Sequence, residues 1–204
     1  MTSLSKLLSM LLLIAMILFG KSLIMDKAVY QGEIAMPIQV DIKEKDRIIL
    51  EGSEGKVELI PRAEYSLTGV VKSKKKYSDY TSQISEYDLA MAWGDLNKDE
   101  IDSGISYSQN GRWYYYKYSP DISVNADYIS KNSANVHIIH KDKDILKKIE
   151  SLKEEDYIKL EGYLVDVDFK NPNNTSLWET SETRNDTGNG ACEIMYVENV
   201  TIIE

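Results

Sequence analysis

YIKLEGYLVDVDF, Tyr157–Phe169, is the stretch whose reading decides the fold. Ile158, Leu160 and Leu164 occupy even positions, whereas Val165, Val167 and Phe169 are odd. Side chains on a strand alternate between faces, so one buried face cannot hold both sets. The buried face changes near Gly162–Val165, which a bulge or sharp bend accomplishes. Long strands that bend from one sheet into another are typical of small barrels.

The segments on either side support the same architecture. Downstream, Cys192, Ile194, Tyr196, Val200 and Ile202 share parity in a final apolar strand over 192–203. Upstream, Asp142–Leu152 places Ile145, Leu146, Ile149 and Leu152 on one side of a helix. Ala134–His140 reads as a strand, as does the aromatic run RWYYYKYS, Arg112–Ser119. Aromatic residues on both faces of that run predict protein on both sides of it. Ser85 and Asp88 match a capping box, predicting a helical turn over Leu89–Trp93 that Gly94 stops.

Nearer the N-terminus, Ile34, Met36, Ile38, Val40 and Ile42 alternate with polar or small residues and predict a half-buried strand. Pro37 cannot donate to a ladder and places that strand at an edge. Arg47–Glu51 and Lys56–Pro61, joined by Gly52–Gly55, read as a hairpin. Tyr65–Val71 reads as a further strand whose basic end, Lys72–Lys76, is solvated. The expected fold is therefore β-rich α+β. It is a small bent sheet or partly open barrel, OB-like or SH3-like, with one packed amphipathic helix.

Leu7–Gly20 is an apolar run flanked by Lys6 and Lys21. With Leu23 and Ile24 it predicts an N-terminal membrane helix over residues 7–24, read as an uncleaved signal-anchor, with a cleaved signal peptide as the competing reading although Leu18 and Gly20 match its cleavage site poorly. Residues 1–25 would be the anchor and 26–204 a single globular domain outside the cytoplasm, on a single-pass cell-membrane protein. After residue 25 the chain has 22 basic and 33 acidic side chains. That excess repels phosphate backbones and excludes nucleic acid as the main partner. One cysteine closes no internal disulfide, so the core must hold the fold.

Chemistry concentrates in WETSETRNDTGNGACE, Trp178–Glu193, the connection between the last two predicted strands. Cys192 with His137 as base and Asp186 as orienting group would make a nucleophilic site. A free cysteine among apolar residues is equally a small buried hydrophobe. Trp178, Arg184, Asp186, Thr187, Gly188 and Gly190 form a candidate binding surface, the glycines allowing close approach of backbone. The same glycines and the short Asp186 also suit any tight turn. His137 and His140, three apart on a strand, face opposite ways and share no metal. Asp95–Asp99 begins like a calcium loop, but Glu100 and Ser106 stand where glycine and the bidentate glutamate are needed. A solvated acidic loop results. No metal and no cofactor are expected.

Five blocks carry a resemblance: LAMAWGD (Leu89–Asp95), SQNGRWYYY (Ser108–Tyr116), SANVHIIH (Ser133–His140), LEGYLVDVD (Leu160–Asp168) and TSETRNDTGNGACE (Thr180–Glu193). In this order they resemble a family of bacterial membrane-anchored envelope proteins. The resemblance implies an envelope setting and no particular reaction. The leading expectation is a non-enzymatic, membrane-tethered domain that binds an envelope protein or small molecule through Trp178–Glu193. A Cys192/His137 hydrolase or transferase is one alternative. A structural subunit of an envelope complex is the other.

Overall fold

Tyr157–Phe169 lies within a long strand, β8 (Tyr157–Asn171), and the predicted change of buried face is present. The computed structural model describes residues 30, 32–171, 174–186, 188 and 190–203. The expected anchor at residues 7–24, and Thr187, lie outside the described residues. Among the described residues no helix is long and apolar enough to cross a membrane.

The chain is β-rich and builds one large sheet. Its strands are β1 (Ile38–Asp41), β2 (Ile48–Gly52), β3 (Gly55–Lys76), β4 (Tyr87–Ala92), β7 (Ser133–His140), β8, β9 (Asn174–Trp178) and β10 (Glu193–Ile202). A separate hairpin comprises β5 (Ile105–Asn110) and β6 (Trp113–Tyr118). Helices are short: α1 (Asp99–Asp102), α2 (Ala126–Lys131) and α3 (Lys143–Ser151). Within the sheet β3 pairs with β4, β4 with β7, β7 in parallel with β10, and β10 with β8. β8 then pairs with β3, which returns the ladder to its start.

All the strands of that ring contribute to one apolar cluster, including Leu67, Leu89, Val136, Leu160 and Met195. A cluster shared around a closed ring is its interior. The α3 residues Ile145 and Ile149, with Leu152 beyond its end, join that cluster. Asp142 caps α3, its side chain accepting from the backbone N–H of Asp144 and Ile145 at 2.9 and 3.0 Å.

A second cluster covers the opposite face of the same sheet. It joins Val57 and Leu59 of β3, Val165, Val167 and Phe169 of β8, Ile139 of β7, and Ile194 and Tyr196 of β10. Ladder irregularities accompany the switch. The β3–β8 register slips between Pro61 and Ala63, leaving Arg62 extra. The β10–β8 register slips between Val197 and Asn199, leaving Glu198 extra opposite Gly162 and Glu161. Arg62 is held by Asp166, to which its Nε donates at 2.6 Å.

Several expectations need correction. Lys56–Pro61 and Tyr65–Val71 are one continuous strand, β3, because the Arg62 bulge lets it turn without breaking. Its basic end is solvated only at Lys75 and Lys76. Lys72 is buried between Asp102 and Glu155, 2.8 Å from each. Lys74 Nζ donates to the carbonyls of Ile149, Glu150 and Leu152 at the C-terminus of α3, which satisfies orphan acceptors there. The predicted helical turn over Leu89–Trp93 is strand β4, buried on both faces and so without alternation. β6 packs on one side only: Trp113 and Tyr115 remain 39% and 51% exposed. Of the strand expected at Ile34–Ile42, only Ile34 is fully buried, whereas Ile38 and Val40 project from edge strand β1. Asp95–Asp102 is a 3-10 turn followed by α1, with Leu96 and Asn97 buried, and not a wholly solvated loop.

Candidate functional site

The outer face of β4–β7–β10 carries a buried polar floor, where an apolar surface would be the cheaper choice. Register sets Asp88 of β4 beside His137 of β7, and His137 beside Ile194 of β10. Asp88 is fully buried. Arg112 Nη1 donates to its Oδ1 at 2.8 Å, and Asn135 Nδ2 to its Oδ2 at 3.4 Å. His137 Nδ1 also lies 2.9 Å from Asp88 Oδ1, as a close approach rather than a well-aligned hydrogen bond.

Arg112 reaches this floor from the turn of the β5–β6 hairpin. Gly111 and Arg112 form that turn with φ of 58° and 71°. Positive φ at both central residues gives the twist a two-residue hairpin needs, and a bulky residue there is strained. The guanidinium contacts hold it in place. Nε and Nη2 donate to the two oxygens of Asp79 at 2.7 Å each, and Nη2 also reaches Ser82 Oγ and the Ser85 carbonyl at 2.9 Å. Arg112 holds the Asp79 carboxyl well below the usual carboxylate range. Asn135 ties the same hairpin down, donating to the Arg112 carbonyl at 3.0 Å and accepting from Gln109 at 2.7 Å.

Above this floor is a cavity of about 390 Å³, lined among others by Arg112, Trp113, His137, Trp178, Glu179 and Cys192. Trp178 packs partly on the outer apolar cluster and meets His137 with ring centroids 4.7 Å apart. A recess of about 170 Å³ adjoins it, also bordered by Trp113, Gly188 and Cys192, and contains Arg184, Asp186 and Tyr114.

Sequence reasoning placed Cys192 and His137 together, and both line the larger cavity. The third proposed member is displaced. Asp186 accepts from Ser181 Oγ at 2.7 Å within its own loop, and Asp88 occupies the position beside the imidazole. The thiol is not activated. Burial, with the charge of Glu193 second, pushes Cys192 up to about 12, and its polar contact is Asn135 Nδ2 at 3.9 Å. At pH 7.5 the thiolate fraction is then roughly a thousandfold below that of an ordinary cysteine. Iodoacetamide should therefore alkylate Cys192 about 10³-fold more slowly than a small free thiol, with a rate still rising beyond pH 9. An alkylation rate at neutral pH equal to that of the free thiol would restore the nucleophile.

Of the predicted binding residues, Trp178, Gly188 and Gly190 border the larger cavity, and Arg184, Asp186 and Gly188 the recess. Arg184 is paired with buried Glu193. Burial raises that carboxyl to about 7 against the pull of Arg184. His137 and His140 face opposite sides of β7, as their spacing predicts. Among the described residues no three His, Cys, Asp or Glu are placed to hold a metal ion. Sequence reasoning missed Asp88, Arg112, Asn135 and Trp113. One signal for Arg112 was present: Asn110-Gly111 between two strand-like runs marks a hairpin turn. Comparison with protein-family models, curated proteins and solved structures finds no match to this chain.

Proposed function

We propose that this chain is a non-catalytic ligand-binding domain of OB type, tethered at the bacterial cell membrane with its globular part outside the cytoplasm. The order β3-β4-β7-β10-β8-β3, with β7 and β10 parallel and α3 between β7 and β8, supports the OB assignment. Barrels of that type carry ligands on the face of their second and third strands, here β4 and β7. The observation that carries the reading is the cavity over Asp88 and His137, walled by Trp113 and Trp178. Few convergent polar groups beside aromatic walls make a binding cleft. A buried charge network also costs stability and is retained where it positions something. The raised Cys192 thiol weighs against the hydrolase reading. The apolar run Leu7–Gly20 between lysines and the five sequence blocks support the tether and the envelope setting.

The test uses full-length protein in micelles of a non-glycosidic detergent. Amino acids, nucleosides and saccharides are titrated while the indole NMR signals are followed. Binding should shift the signals of Trp113 and Trp178 and leave buried Trp93 unmoved, and Trp178→Ala should weaken it at least tenfold. A ligand that shifts neither tryptophan, or recovery of the intact chain as a soluble cytosolic species, would overturn the proposal.

A further inference from the structure

Resting on that binding reading, we infer that the ligand of the cleft is a saccharide: a neutral, hydroxyl-rich ring seated against Trp178 with its hydroxyls donating to His137 and Glu179. The cationic groups of the walls are already engaged. All three nitrogens of Arg112 already donate, to Asp79, Asp88, Ser82 and the Ser85 carbonyl. Arg184 in the adjoining recess is matched by Glu193. The cleft therefore presents no unengaged guanidinium for a phosphate or carboxylate. The excess of acidic side chains over basic ones disfavours any anion further.

What remains is a set of acceptors beside an aromatic surface. His137 borders the cavity with Nδ1 2.9 Å from Asp88 Oδ1, which leaves Nε2 as the ring nitrogen that a ligand hydroxyl can meet. Glu179 borders the same cavity from the residue after Trp178 and is exposed. Hydroxyls satisfy such acceptors by donating. The apolar C–H face of a sugar ring matches an indole, which has a broad apolar surface and a polar edge. Trp113 stands across the cavity on the hairpin, and its neighbour on that face, Tyr115, is 51% exposed. A cavity of about 390 Å³ holds a disaccharide-sized ligand. A nucleoside also stacks on tryptophan, but a nucleotide or oligonucleotide brings phosphates that nothing here neutralises.

The decisive experiment titrates the full-length chain, in lauryldimethylamine oxide micelles, with cellobiose, maltose and N,N′-diacetylchitobiose. Adenosine and sodium acetate serve as the competing classes. At least one disaccharide should shift the Trp178 and Trp113 indole signals saturably, with a Kd of millimolar or tighter. Glu179→Gln, at an exposed position that leaves the fold intact, should weaken that binding about fivefold, and His137→Phe at least tenfold. Binding of adenosine or acetate at these tryptophans, with no response to any sugar, would overturn the saccharide assignment and leave the cleft standing. No response to any probe would overturn both. A sugar response unchanged in Glu179→Gln and in a folded His137→Phe would overturn the hydrogen-bonding arrangement.

Discussion

Gly162→Ala should destabilise the domain by about 3–5 kcal/mol, a loss that lowers the melting temperature by roughly 6–20 °C for a chain of this size. Gly162 sits in β8 where the strand changes its buried face, with φ of 159°. A Cβ there would stand 2.0 Å from the Tyr196 carbonyl oxygen and 3.1 Å from the Glu198 nitrogen. Both are backbone atoms of β10, so no side-chain rotation relieves the overlap. The ladder must part just where Glu198 bulges and where the β10–β8 register already slips. Gly111→Ala is the control. It meets nothing within 4 Å and costs only the positive φ of 58°, about 1 kcal/mol. Thermal unfolding of the two variants separates close approach from backbone freedom. A Gly162→Ala protein as stable as Gly111→Ala would remove the account of the bend.

That bend was legible in Tyr157–Phe169 because strand parity is rigid: Leu164 and Val165, adjacent in sequence, cannot face the same way. Where an element has one wet face, its pattern survives. Thus α3 shows its apolar stripe, and its Asp142 cap follows from the side-chain oxygen two to three residues before the free amides. β4 was illegible for the opposite reason. Leu89 and Met91 enter the ring's interior while Asp88, Ala90 and Ala92 lie under the hairpin and its neighbours, so both faces are buried. A continuous apolar run reads equally as helix, and Ser85 with Asp88 resembled its cap. The same misreading hid the site, because a capping Asp88 cannot also be the carboxylate beside His137.

Distance in sequence hid the rest. Asp88 meets Arg112 across 24 residues and Asn135 across 47, and neither partner is fixed by local spacing. The Trp178–Glu193 connection was found because its composition stands out, and its tryptophan does reach the cleft. Its Asp186 was assigned to the wrong place, since a loop carboxylate finds its own hydroxyls first, here Ser181.

The second large effect is expected at Arg112. Arg112→Ala should cost about 3–5 kcal/mol, since removing one partner strands a buried charge. Asp88 has no exposure, and its remaining neighbours are the neutral Asn135 amide and the imidazole of His137. Alanine also inherits the strained φ of 71° without the contacts that hold it. Lysine should recover little, because one ammonium cannot bridge Asp79 and Asp88 as the planar guanidinium does. Asp88→Asn in the Arg112→Ala background is the informative partner. It removes the stranded charge, so the double variant should be more stable than Arg112→Ala alone. The coupling in a double-mutant cycle should exceed about 1 kcal/mol. Both Arg112 variants should also weaken binding in the cleft, because Trp113 follows Arg112 in the chain and shares its anchorage. Additive losses in the cycle, or an Arg112→Ala protein within 1 kcal/mol of the parent, would mean that the floor does not depend on this pair. The hairpin would then be held by Asn135, through Gln109 and the Arg112 carbonyl, and the strained turn would have no role in building the site.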